Sequence, residues 1–207
     1  MYIPRHFHEQ DESELLALMG EYGFATLITS EKDVPFATHL PLLVERDAGG
    51  RLFLQGHMAR ANPQWQSLSQ KGEVLAIFQG PHAYVSPSCY KVSSVPTWNY
   101  AVVHAYGIPT LVEEHARVVD SLRQLSRKYE AGRDNPWNPD TVETMVNQLV
   151  SGIVAFEISI TRLEGKFKLS QNRTAQDHEG AMRFVEQDNQ HGSQGLAELM
   201  MARKPKG

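Results

Sequence analysis

Apolar and polar positions fall into blocks along this chain, and the blocks predict a β-rich protein with helices at its margins. Residues 1–10 form an extended arm ahead of Asp11-Glu12-Ser13-Glu14, where an acid followed by Glu at the third position imitates a capping box. Leu15, Leu16, Leu18 and Met19 then lay down an apolar helical stripe that Gly20 and Gly23 stop. From Phe24 the character changes to strands. Residues 24–29, 36–44 and 51–55 read as a three-strand meander, separated by Glu31-Lys32-Asp33-Val34-Pro35 and Asp47-Ala48-Gly49-Gly50, both with turn chemistry. A short helix over 62–70 precedes a strand over 73–79. Gly80-Pro81 and Ser86-Pro87-Ser88 then frame another extended piece.

Residues 98–106 sort their side chains by face: Trp98, Tyr100, Val102, His104 and Tyr106 on one, Asn99, Ala101, Val103 and Ala105 on the other. The small face either admits a ligand or a second subunit, or reflects the taper of a barrel interior. Helices over 113–130 and 141–150 are joined by a polar, breaker-rich connection at 132–139. A last long strand over 153–163 alternates Val154, Phe156, Ile158 and Ile160 against Glu157, Ser159 and Thr161. The polar tail from Ala175 reads as helical, ending in Arg203-Lys204-Pro205-Lys206 as a frayed, solvated terminus. No repeat or Ser/Gly linker divides the chain. The pattern predicts one domain over residues 1–207, built on a six- or seven-stranded antiparallel barrel with peripheral helices.

Composition narrows the function classes. The 207 residues are 41% hydrophobic and 21% charged, ordinary globular usage, so a disordered or low-complexity chain is excluded. With 20 Lys+Arg against 24 Asp+Glu the formal charge is −4, and no global positive field draws the protein to nucleic acid or anionic lipid. The single cysteine, Cys89, rules out an intrachain disulfide framework and a four-sulfur metal site. The first twenty residues hold no secretory apolar core, and no stretch is apolar enough for a membrane span, so a cytoplasmic protein is expected.

The nine histidines do not cluster, and no metal site is expected from them. No nucleophile elbow, Walker loop, dinucleotide glycine fingerprint or His-Glu-x-x-His helix occurs. What remains is a set of polar and aromatic segments at strand ends. Gly56-His57-Met58-Ala59-Arg60-Ala61-Asn62-Pro63 puts a guanidinium and backbone N–H groups just ahead of a helix start, a cradle for a phosphate. The alternative is that Asn62 caps that helix and Arg60 is solvated. Ser86-Pro87-Ser88-Cys89-Tyr90 and Thr97-Trp98-Asn99-Tyr100 offer hydroxyls, an amide and flat rings that suit a conjugated heterocycle, or else pack a barrel rim. Lys166-Phe167-Lys168-Leu169-Ser170-Gln171-Asn172-Arg173 puts Lys166, Lys168 and Ser170 on one strand face, as a polar site or as a guarded sheet edge.

On these motifs, together with Met1-Tyr2-Ile3-Pro4, Gln64-Trp65, Phe78-Gln79-Gly80-Pro81-His82-Ala83-Tyr84 and Val95-Pro96, the chain resembles the PaiB-type FMN-binding proteins nearly end to end. That family is often called negative transcriptional regulators and is similar to the pyridoxamine-phosphate-oxidase-like split barrels. The resemblance implies a mainly β fold with peripheral α, an antiparallel split β-barrel of the FMN-binding type. It also implies a homodimer with one FMN in each of two clefts at the subunit interface. Arg60, Ala61 and Asn62 would hold the phosphate, Thr38, His39 and Leu40 would line the isoalloxazine, and Thr97, Trp98 and Asn99 would complete the pocket, with Lys168 and Gln171 as further members. Cys89 stands where the family commonly has Trp after Ser-Pro-Ser, and Thr174 and His178 are also atypical. Two functions follow as expectations, a PaiB-type negative transcriptional regulator or a flavin-dependent oxidoreductase acting on a small molecule. The charge, and the absence of a helix-turn-helix signature, weigh against direct DNA binding.

Overall fold

A computed structural model describes residues 1–31, 33–70, 72–188 and 192–205. Lys32 of the expected 31–35 turn and Lys206 of the terminal basic run lie outside the described residues. A 3-10 turn at Arg5–Phe7 leads to β1 (His8–Glu9) and α1 (Glu12–Glu21). Then come β2 (Phe24–Glu31), β3 (Val34–Pro41), β4 (Leu43–Arg46), β5 (Leu52–Ala59), α2 (Gln64–Leu68) and β6 (Val74–Val85). A 3-10 turn at Pro87–Cys89, β7 (Thr97–Val112), α3 (His115–Glu130), α4 (Glu143–Val150), β8 (Ile153–Lys168), α5 (Ala175–Asp188) and α6 (Leu196–Ala202) complete the chain.

Among the described residues the fold is mainly β, one antiparallel sheet in the order β3-β2-β6-β7-β8-β5-β4. This path has the seven strands of the expected barrel class. The arm adds an eighth, β1, pairing His8 with Lys166 and Glu9 with Gly165 on β8. Residues 36–44 are not one strand. β3 ends at Pro41, which has no N–H to give to a ladder. Buried Leu42 turns the chain with its N–H on Gly23 O at 2.8 Å, and β4 starts afresh. β3 and β4 therefore end up at opposite ends of the pairing order, and the expected meander is instead two hairpins.

Gly80-Pro81 also fails to break its strand, because β6 runs through both. A Cβ at Gly80 would stand 3.0 Å from Leu18 Cδ1 and 3.1 Å from Ala101 O, so glycine permits the close passage of α1 and β7. Asp11 caps α1 by accepting the Ser13 N–H at 2.9 Å, but Glu14 leaves the capping box open and pairs with Arg203 at 2.5 Å. Ala181, Val185, Leu196 and Met200 of the helical tail are buried, and of the basic run expected to fray Arg203 is docked, reaching Glu9 at 3.1 Å, while Lys204 is exposed. No helix among the described residues is long and apolar enough to cross a membrane.

The chain forms two compact units, each assembled from separated segments. Gly23–Ile77 with Ala105–Arg162, the Arg60 unit, is centred on Leu27, Leu42, Leu54, Leu68, Phe156 and Ile158, none more than 1% exposed. Its α3 lays Val118 against Val112 and Ala155. Met1–Tyr22, Phe78–His104 and Leu163–Gly207, the Lys168 unit, is centred on Met19, Phe78, Phe167, Leu169, Leu196 and Met200.

Candidate functional site

In the Arg60 unit, β5 ends at Ala59 and a tight turn, closed by Asn62 N–H on Ala59 O at 2.9 Å, leads into α2. Arg60 is exposed but fixed. Its Nε donates to Ser151 O at 2.9 Å and its Nη2 to Ile153 O at 2.8 Å, while Trp65 Nε1 donates to Arg60 O at 3.1 Å. A guanidinium has five N–H donors. Two are taken here, so the Nη1–Nη2 edge remains for a ligand, and no carboxylate pairs with Arg60 among the described residues. Asn62 makes the helix-start contact weighed for it, its Oδ1 accepting the Gln64 N–H at 3.0 Å, and its Nδ2 donates to Thr38 Oγ1 at 2.9 Å.

β3 presents the other expected members of this half. Thr38 is half-buried beside Asn62, and Leu40 is buried in the core. Exposed His39 shares a hydrogen bond with Thr26 at 2.9 Å and stands 6.5 Å, ring to ring, from exposed Phe24. Sequence reading missed the residue that ties this half together. Gln64, 2% exposed, points its Nε2 at Leu27 O and Phe36 O, both at 3.1 Å, and at Thr29 Oγ1 at 3.2 Å, strapping α2 to β2 and β3. Its Oε1 is buried without a partner. The only sequence signal was a polar residue directly after Pro63 at a helix start.

The Lys168 unit holds the rest. Half-buried Lys168 donates through Nζ to Thr97 Oγ1 and to Trp98 O. Burial pushes its ammonium below the usual lysine range, and neighbouring Lys166 and Arg173 push the same way. None of these three cations forms an ion pair among the described residues. Outside them, Trp98 stands 52% exposed with its ring 6.3 Å from His82 and 6.1 Å from Tyr84, and Lys166 Nζ lies 5.4 Å over Tyr100. Rings and cations thus share one open face.

The opposite face of β7 is closed. Asn99, Ala101, Val103 and Ala105 are at most 1% exposed, so the small side chains are the interior taper and not an approach for a ligand. Asn99 is held there, its Nδ2 donating to Ser170 Oγ at 2.9 Å. Ser170 leaves the face of Lys166 and Lys168 because its φ of 63° turns the chain inward. Gln171 folds back on the strand end, accepting the Leu169 N–H at 2.7 Å and donating to Phe167 O. Cys89 donates its thiol to Ser86 O at 2.9 Å, and burial pushes that thiol up, away from a reactive thiolate.

The donor chemistry fits FMN. A phosphate calls for charge-assisted donors without competing carboxylates, and a flavin ring calls for flat partners and a cation at its polar edge. Within the Arg60 unit the free guanidinium edge suits the first requirement, and within the Lys168 unit Lys168 and Trp98 with its ring neighbours suit the second. No three His, Cys, Asp or Glu gather to hold a metal among the described residues.

Comparisons with known proteins bear on the family and the fold. A family model described as "Putative FMN-binding domain" matches residues 1–162. "Protease synthase and sporulation protein PAI 2" of Bacillus subtilis (strain 168) is 37% identical over 202 residues, spanning 97% of this chain and 96% of that protein. An uncharacterized protein of Aspergillus fumigatus is 31% identical over 211 residues, 82% of this chain and 81% of that one. Among solved structures, the flavocytochrome Anf3 from Azotobacter vinelandii superposes with a TM-score of 0.59 at 16% identity, covering 80% of this chain and 72% of that chain. The FAD and heme binding protein from Mycobacterium smegmatis gives 0.58 at 14% identity, with 78% and 73% covered. These two show the fold alone, the split β-barrel class expected from the sequence. With the family model spanning most of its length and a relative above 30% identity along almost all of it, the chain belongs to the PaiB-type family of proteins with an FMN-binding domain.

Proposed function

We propose that this protein is a cytoplasmic homodimer that binds FMN and serves as a negative transcriptional regulator, the whole chain acting as one flavin-binding domain. The observation that carries the reading is the unspent guanidinium edge of Arg60, held by main-chain carbonyls with no carboxylate on it. Arg60, Ala61 and Asn62 hold the phosphate, Thr38, His39 and Leu40 support the ring, and Thr97 and Trp98 complete the pocket from the second subunit. Asn99 and Gln171 act behind it, fixing the Ser170 turn and the end of β8.

With a net charge of −4, the regulator works through flavin or a protein partner rather than by gripping DNA phosphates. Adding FMN to purified protein should give a red-shifted, structured visible spectrum at micromolar flavin, and size-exclusion chromatography with light scattering should give twice 23.3 kDa. An unchanged flavin spectrum or a monomer overturns the corresponding half of the reading. A mobility shift at low salt would overturn the indirect mode of regulation.

A second reading, a flavin-dependent oxidoreductase acting on a small molecule, is favoured by Lys168. Bound FMN would supply the electron chemistry. The ammonium, with its charge already disfavoured by burial and two neighbouring cations, gives up a proton more readily than an ordinary lysine. Turnover of a reduced nicotinamide by the flavin-loaded protein, lost in Lys168→Met, would select this reading.

A further inference from the structure

The Arg60 unit contains a second feature that the flavin reading does not use. Beside Arg60 lies a cleft of about 410 Å³, within the range of small-molecule sites. Its buried floor is Val112, Val118 and Ala155, and half-buried Leu111 and Val150 stand on its walls. Polar groups are confined to the exposed rim, where Glu113 and His115 join Arg60, to the half-buried Trp65, whose Nε1 is committed to Arg60 O at 3.1 Å, and to Ser151, whose hydroxyl is committed to Gln148 O at 3.0 Å. Both carbonyls that hold Arg60, those of Ser151 and Ile153, belong to residues of this cleft. The guanidinium is therefore fixed at its mouth with one edge unspent.

An apolar interior, aliphatic apart from the Trp65 ring, with a single oriented fork at the entrance selects its ligand by exclusion. A sugar, a nucleobase or a flavin ring would bury hydroxyls or ring nitrogens with no free polar partner on the floor, since the Trp65 Nε1 is already spent. A hydrocarbon alone would leave the guanidinium unused. A carboxylate takes the planar fork with two parallel hydrogen bonds, and an apolar tail takes the floor. We propose that this cleft binds a small carboxylic acid with an apolar tail, its carboxylate on the free edge of Arg60 and its tail against Val112, Val118 and Ala155. The proposal goes beyond the flavin reading and shares with it the free edge of Arg60, so the acid and the FMN phosphate compete for that edge and the titrations use flavin-free protein.

Isothermal titration of the full-length protein with butyrate, hexanoate and octanoate tests it. Each added methylene should tighten binding about three- to fourfold until the cleft is full, and Arg60→Gln should abolish binding of all three. Leu111→Trp, which fills the cleft from a half-buried wall, should weaken octanoate at least tenfold and leave FMN affinity as it was. Should that variant not fold, Val150→Phe at the end of α4 asks the same question. Affinity that does not rise with chain length, or octanoate binding indifferent to both fillings, overturns the proposal. The flavin reading fails separately: acids bound with this chain-length dependence but no FMN bound would refute it and leave the cleft standing. FMN bound with flat acid affinities would refute only the cleft.

Discussion

The two units carry the same kind of group, an anion-seeking cation, in two different ways. Arg60 sits exposed, with one guanidinium edge on the carbonyls of Ser151 and Ile153. Lys168 sits half-buried, with its single ammonium shared between Thr97 Oγ1 and Trp98 O. A guanidinium has a second edge and keeps its charge at any working pH, so one residue can both pin the main chain and bind a ligand. An ammonium has one head, and here burial, Lys166 and Arg173 all work against its charge. On the proposed flavin reading, Arg60 would hold its anion at any working pH, and Lys168 would hold one with a grip that weakens as pH rises.

That contrast can be broken most directly at Arg60. Arg60→Ala should weaken FMN by about 10- to 100-fold, the worth of charge-assisted hydrogen bonds, while riboflavin, which lacks the phosphate, changes little. Equal loss for both flavins in a fluorescence titration would move Arg60 from ligand contact to main-chain support. Next come the two asparagines. Asn99→Ala strands the buried Ser170 hydroxyl and should cost about 1–3 kcal/mol in denaturant unfolding. Asn62→Ala, at a half-buried helix start, should cost about 1 kcal/mol or less. A reversal of that order would mean that the Arg60 turn, and not the Ser170 turn, is the more tightly built.

Acid should reach both units by the same route. Burial lowers the pKa of His57 in the Arg60 unit and of His178 in the Lys168 unit. Below 6.5 the unfolded chain takes up protons that the folded chain refuses, so stability falls as pH drops from 6.5 through the lowered folded values. His178, 3% exposed with Nε2 unpartnered, should dominate. Thermal melts of His178→Asn should show a flatter decline between pH 6.5 and 5 than His57→Asn, and the opposite ranking would place the sensitive group in the Arg60 unit. The smallest effect concerns Lys168. FMN affinity should ease downward as pH rises through the lowered lysine value, and Lys168→Met should remove that slope while the Arg60-dependent preference over riboflavin persists. A slope that survives the substitution would assign it elsewhere.

Much of this was legible in the chain itself. Period-two alternation over 98–106 and 153–163 announced β7 and β8, and the Asp11 cap announced α1, because such signals are satisfied by neighbours a few residues away. The Gly56 to Trp65 motif marked the Arg60 turn, again a local arrangement. What the alternation could not say is which face of β7 is open. It sorted Asn99 from Trp98, but only the packing of Ser170 and Met200 against Asn99 shows that the small face is interior. The break at Leu42, the passage of β6 through Gly80-Pro81 and the docking of Arg203 onto Glu9 and Glu14 were likewise invisible, since each depends on partners far along the chain.

The sequence by itself determined the mainly β class, the capped first helix, the family, and the two cationic segments from which a flavin site is proposed. Tertiary structure alone decided that Gln64 straps α2 to β2 and to the strand bearing Thr38, that Ser170 turns inward, and that an apolar cleft opens beside Arg60. The physical reason is range. Propensity, capping and alternation are set by neighbours in sequence, whereas a buried amide or a cleft wall is set by whatever the fold brings to it.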